Sequence, residues 1–146
     1  MYNPGTIIYF DPFYFPDGNS AKPKYCLILK VIEDSILIAN LPTSKDHVPG
    51  FLEKKHGCID HKESNFNCYY FSPNNSISDD GWAFPFETFL YGMYIDEYNL
   101  KTFREIYQFE GVDYDIACTL TDEEFVNVID CFKKSSTVKR KFKRLI

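Results

Sequence analysis

The sequence predicts an α+β fold, mainly β: a small barrel or a bent antiparallel sheet with C-terminal helices. Three observations predict it. Aromatic residues are dense, with 14 Phe, 11 Tyr and one Trp in 146 residues, and such side chains suit the half-buried faces of strands. Through residue 95 the apolar residues fall in short runs divided by Pro, Gly and polar clusters, the rhythm of five to seven strands. From residue 96 onward the apolar period lengthens to that of helices. A chain of this length forms one domain, 1–146, with 1–95 mainly β and 96–146 mainly helical, and buries a core without staples.

The elements follow in order. Ile7 to Phe10, after Pro4-Gly5, make a first strand. Residues 11–24, DPFYFPDGNSAKPK, hold three prolines and a glycine and read as a long loop. Tyr25 to Ile32 and Ser35 to Leu41 are two strands joined by a short turn at Glu33-Asp34, a pair without the Gly or Asn of the commonest two-residue turns. Pro42 ends the third strand because it donates nothing to a ladder. Cys58 to Ile59 and Phe66 to Phe71 read as two more strands, and Ala83 to Tyr94 as one or two further ones.

Leu100, Phe103, Ile106 and Tyr107 then recur at helical spacing, with Asn99 as N-cap. Thr121 to Glu124, TDEE, is a capping box ahead of Phe125, Ile129 and Phe132 on one face. Val138, Phe142, Leu145 and Ile146 align again, with basic residues filling the other positions.

Five cysteines, at 26, 58, 68, 118 and 131, make an odd count without a CxxC pair. Reduced thiols are therefore expected, with Cys26 and Cys131 as small core residues. No apolar run approaches the ~20 residues of a membrane span, and MYNPGTIIYF lacks the parts of a signal peptide, so a cytoplasmic protein without membrane contact is expected. The net charge of −5 conceals an asymmetry. Residues 133–146, KKSSTVKRKFKRLI, carry +7, whereas the rest has nine Lys and Arg against 21 Asp and Glu. Such a tail binds RNA phosphates, docks an acidic peptide, or presents a solvated helix face.

Chemistry concentrates around the first hairpin. Lys22 and Lys24 enter the second strand, and Thr43 and Ser44 leave the third. Adjacent antiparallel strands return their outer ends to the same end of a sheet, so two ammonium groups and two hydroxyls converge there. That set neutralises a phosphate, bonds its oxygens and stabilises a pentavalent transition state. Lys45 and His47 follow, His47 as a proton-transfer group. The alternative is ordinary strand-end chemistry, with solvated lysines and turn-forming hydroxyls.

Phe13, Tyr14 and Phe15 offer stacking platforms for bases; the competing expectation is a loop folded on the sheet with alternate rings buried. His56, Cys58, His61 and Cys68 have metal-ligand chemistry in a spacing unlike paired zinc motifs, so surface histidines beside sheet cysteines are expected, and neither metal nor cofactor. Paired acids such as Glu33-Asp34 and Glu123-Glu124 fall in turns or at a helix start and suggest no carboxylate dyad.

The order PGTIIYFDP, GNSAKPKYCLIL, ILIANLPTSK resembles the N-terminal half of the MazF/PemK family of toxin endoribonucleases, over roughly residues 4–45. The resemblance implies an SH3-like barrel with C-terminal helical segments and a homodimer. It also implies metal-independent cleavage of single-stranded RNA through the ribose 2′-hydroxyl, and an antitoxin protein as partner. Lys22, before Pro23, takes the place of the family's catalytic Arg, Thr43 that of its catalytic Thr, and Ser44 that of a phosphate-binding hydroxyl. Lys is a point charge where Arg is a planar fork. Lys24 and Tyr25 stand between Pro23 and the apolar run, so either Lys22 or Lys24 fills the role. The alternative is a non-catalytic barrel of the same fold that binds protein or nucleic acid.

Overall fold

The computed structural model describes residues 2–15, 18–41 and 48–146. Among the described residues eight strands form two sheets: β1 (Thr6–Phe13), β2 (Lys22–Ile32), β3 (Ser35–Asn40), β4 (Gly57–His61), β5 (Phe66–Phe71), β6 (Thr88–Leu90), β7 (Ile95–Asn99) and β8 (Tyr114–Thr119). Among the described residues three α-helices accompany them: α1 (Leu100–Ile106), α2 (Asp122–Lys134) and the single turn α3 (Arg140–Lys143). The larger sheet has the order β7-β3-β2-β1-β8, the smaller β4-β5-β6, and every pairing between these strands is antiparallel. Of the two expected architectures the chain adopts the sheet, not a closed barrel, because β7 and β8 are the two edges of the larger sheet and do not pair with each other.

The larger sheet is buried on both faces, and its sequence shows why. Leu27, Leu29, Leu37 and Ala39 point to one side, while their neighbours Cys26, Ile28, Ile36 and Ile38 point to the other. Period-two alternation within continuous apolar strands is what a sheet covered on both sides requires. The first face meets the smaller sheet through Tyr69, Phe71 and Leu90, and α2 through Val128, Cys131 and Phe132. The second face meets α1 and a cluster of rings: Tyr2, Phe10, Phe13, Phe103, Tyr107 and Tyr114. Phe13 and Tyr107 stack with centroids 5.8 Å apart and planes at 8°.

Two features depart from the sequence reading. Residues 96–146 contain strands β7 and β8 as well as helices. β7, IDEYN, is largely exposed, and β8, YDIACT, half so; as edge strands they owe their conformation to β3 and β1 and carry little apolar signal of their own. The loop expected over 11–24 is also shorter, since β1 runs on to Phe13 through a bulge and β2 starts at Lys22, opposite it.

The basic C-terminal segment folds back onto the body. Val138 and Phe142 are buried in the core beside α2, and Val138 sits so close to Gly92 that a Cβ there would lie 2.3 Å from its Cγ2. Gly92 is required by this approach.

Candidate functional site

β2 and β3 pair with Cys26 opposite Asn40, and the Leu41 N–H donates to Tyr25 O at 3.0 Å, extending the ladder by one bond past β3. That register brings the start of β2 beside the exit of β3. Lys24 is buried, and its Nζ donates to Leu41 O at 3.2 Å. Burial, with a contribution from the neighbouring Lys22 charge, pushes its pKa down. Lys22 is exposed, with its Nζ 5.7 Å from the Phe15 ring centroid. The sequence left Lys22 and Lys24 interchangeable; the structure separates them into an exposed cation and a buried one that holds the strand exit. Thr43, Ser44, Lys45 and His47 lie outside the described residues.

The aromatic triplet divides. Phe13 is fully buried and packs among Phe10, Tyr107 and Phe15, as the expectation of alternate buried rings has it, and offers no face to a base. Tyr14 is 54% exposed, its backbone N–H donating to Tyr107 Oη at 2.8 Å. Phe15 is half-buried against Phe13. Alternation along the strand, with Phe13 pointing inward, produces this division.

The four residues with metal-ligand chemistry go to different partners. Cys58 forms a disulfide with Cys131, with a Cα–Cα distance of 5.4 Å. This corrects the expectation of reduced thiols for that pair; Cys26, Cys68 and Cys118 lie outside the disulfide, all buried. His61 Nδ1 accepts from the Ser64 backbone N–H at 3.2 Å and lies 2.7 Å from its Oγ. Among the described residues no group of three His, Cys, Asp or Glu side chains is placed to hold a metal ion.

His56 belongs to an array the sequence did not reveal. Its Nε2 lies 2.9 and 3.1 Å from the two Glu124 carboxylate oxygens, and its Nδ1 accepts from the Ser72 N–H at 3.1 Å. The Tyr69 hydroxyl donates to the same carboxylate. Burial, then the hydrogen bond to Glu124 and its charge, holds the Tyr69 phenol well above its ordinary range. With Nδ1 accepting, the imidazole carries its proton on Nε2 and donates it to Glu124. The capping box explains how Glu124 came to be free for this. Thr121 Oγ1 accepts from the Glu124 N–H at 3.1 Å, while the Thr121 N–H donates to Ile77 O. The Glu124 side chain is thus released from its usual return bond and turns to His56 and Tyr69. The array ties the N-terminus of α2 to β5 and to the segment before β4, and the helix dipole favours a carboxylate there.

The basic segment shows its charge outward. Lys133, Lys134, Lys139, Arg140, Lys141 and Arg144 are exposed, and among the described residues none of them forms an ion pair. Lys134 and Ser136 line a cleft of about 210 Å³ with His61, Lys62, Asn65 and Phe66. At its side Phe51, 69% exposed, meets the His61 ring edge-on at 5.3 Å. Lys62 and Lys134 of this cleft, beside an exposed ring, suit an anionic partner that also carries flat groups.

No family model, curated protein or solved structure matches the chain. Among the described residues no helix is long and apolar enough to cross a membrane.

Proposed function

We propose that this protein is a MazF/PemK-like toxin that cleaves single-stranded RNA without a metal ion, acts as a homodimer and is held by an antitoxin protein. The observation that carries the reading is the Lys24 Nζ bond to Leu41 O. It joins the KPK entry of β2 to the exit of β3, two residues before Thr43. Lys22, exposed beside it, is the cation available to a phosphate, and Lys24 positions the strand exit.

In this reaction the ribose 2′-hydroxyl attacks the adjacent phosphorus, and the bond to the 5′-oxygen breaks. A 2′,3′-cyclic phosphate and a 5′-hydroxyl result. Lys22 offsets the charge that grows on the phosphoryl oxygens. Thr43 and Ser44 bond those oxygens, Lys45 adds charge, and His47 moves a proton between the two ribose oxygens. Tyr14, the most exposed ring of its triplet, stacks on a neighbouring base. The exposed cations of 133–144 and the cleft beside Phe51 support an RNA partner, since a phosphate chain is drawn to such a surface in a salt-dependent way.

The test replaces Lys22, Lys24 and Thr43 together by Ala. Loss of RNA cleavage and of growth arrest on expression, with the fold intact by circular dichroism, is the expected result. Cleavage that persists removes this site. A wild-type protein that binds RNA and leaves it whole selects the non-catalytic reading instead.

A further inference from the structure

We infer that the Cys58–Cys131 bond is a thiol–disulfide exchange site, opened at Cys58 by a dithiol reductant and re-formed without unfolding, and that it sets how firmly the cationic C-terminal segment is held. The inference stands independently of what the protein cleaves.

Placement makes the bond one-sided. Cys58 is exposed on β4, an edge strand of the smaller sheet, whereas Cys131 is fully buried in α2. An incoming thiolate therefore meets Cys58 first, and Cys131 is the leaving sulfur.

The surroundings fit both oxidation states. Cys131 Sγ lies 3.4 Å from Cys68 O and 3.7 Å from Asn67 Oδ1. A disulfide sulfur has no proton to give these acceptors; a thiol does. Asn67 Nδ2 lies 3.8 Å from Cys58 Sγ and also donates to Cys131 O at 3.2 Å and Asp60 Oδ1 at 3.0 Å. One amide thus braces the backbone of Cys131 and faces the sulfur of Cys58 whether or not the two sulfurs are joined. Reduction leaves no buried polar group stranded.

The rest of α2 stays anchored when the bond opens. Thr121 caps its N-terminus, Glu124 is held by His56 and Tyr69, and Val128 remains in the core. What loosens is the last turn of α2 and the chain after it. Lys133 and Lys134 follow Cys131 with only Phe132 between, and Lys134 and Ser136 form one wall of the cleft whose other wall is the β4–β5 turn. The disulfide clamps these two walls together.

A thiolate of the dithiol attacks Cys58 Sγ; the Cys58–Cys131 bond breaks, and Cys131 leaves as a thiolate that takes up a proton. The second thiol of the reductant attacks its own sulfur in the mixed disulfide and releases Cys58. Two electrons and two protons pass from the dithiol, which becomes the disulfide, to the protein, which gains two thiols.

The experiment uses the full chain. Thiol titration in denaturant should give three thiols before treatment and all five after native-state incubation with dithiothreitol. Far-ultraviolet circular dichroism should stay unchanged, while amide exchange over 131–144 accelerates. Removing the reductant and adding oxidised glutathione should restore three thiols, with Cys58 and Cys131 cross-linked in the peptide map. Cys58→Ser, at an exposed position, should show the fast exchange constitutively and ignore dithiothreitol. A bond that yields to dithiothreitol only after denaturant is added overturns the inference. So does reduction that abolishes the dichroism, re-oxidation that joins Cys131 to Cys68, or equal exchange over 131–144 in both states.

Discussion

Lys24 and the buried tyrosines pull stability in opposite directions at alkaline pH, and the tyrosines outnumber it. Burial raises the phenols of Tyr2, Tyr69 and Tyr98 above their ordinary range, and pushes Tyr107 up to about 12. In the unfolded chain these groups ionise near pH ~10. Their contribution is therefore complete below that value and lost as pH rises towards the folded one. For Lys24, whose pKa is lowered, the native state binds fewer protons than the unfolded chain up to pH ~10.5, so stability rises with pH across that window. The urea midpoint should fall steadily above pH ~10; a midpoint that stays level through pH 11 contradicts these environments. Glu33 allows a second test at this scale. It turns the β2–β3 hairpin at φ 51°, a left-handed conformation that Asn tolerates better. Glu33→Asn should stabilise by up to about 1 kcal/mol in chemical denaturation. Sequence alone identified the turn and both lysines. It could not rank the lysines, because burial of Lys24 depends on where Leu41 lies, and it missed the His56–Glu124–Tyr69 array, whose members come from three separate elements.

At the scale of elements, local pattern was informative where an element carries its own signal. Asn99 caps α1 by accepting from the Thr102 N–H at 3.0 Å, and Thr121 caps α2, both as their spacing predicts. β2 and β3 are apolar enough to announce themselves. β7 and β8 are not, for their strand conformation comes from a partner already in place. The C-terminal segment shows the same dependence: its apolar residues point inward at helical spacing, but only Gly92, 46 residues before Val138, explains why it docks where it does. Gly92→Ala should cost about 1–3 kcal/mol through overpacking against Val138. Pairing it with Val138→Ala should recover part of that loss, and strictly additive effects in the double-mutant cycle would place Val138 elsewhere.

For the whole molecule, the mainly β α+β class and the C-terminal helices were legible, and the closure was not. Whether strands wrap into a barrel depends on what the edge strands do, and β7 and β8 are the two that carry least signal. The disulfide was hidden for a related reason. Its cysteines lie 73 residues apart on different layers, and no spacing rule joins them. Closing a loop of that length stabilises by roughly 4 kcal/mol in the chain-entropy picture. Cys58→Ser should lower the unfolding free energy by about 2–4 kcal/mol in urea, and an unchanged value would mean that the bond contributes nothing to the fold. The charge asymmetry was visible in the sequence, and the fold gives it a place: exposed cations on the segment after α2, against an acidic body.

RNA cleavage is the central claim, and its most direct test is the product of one incubation. A single-stranded RNA and the DNA of the same sequence are mixed with purified protein in excess EDTA, and the fragments are weighed by mass spectrometry. The predicted result is RNA fragments ending in 2′,3′-cyclic phosphate and beginning with a 5′-hydroxyl, with the DNA whole. Intact RNA, or equal cutting of DNA that has no 2′-hydroxyl, would contradict it.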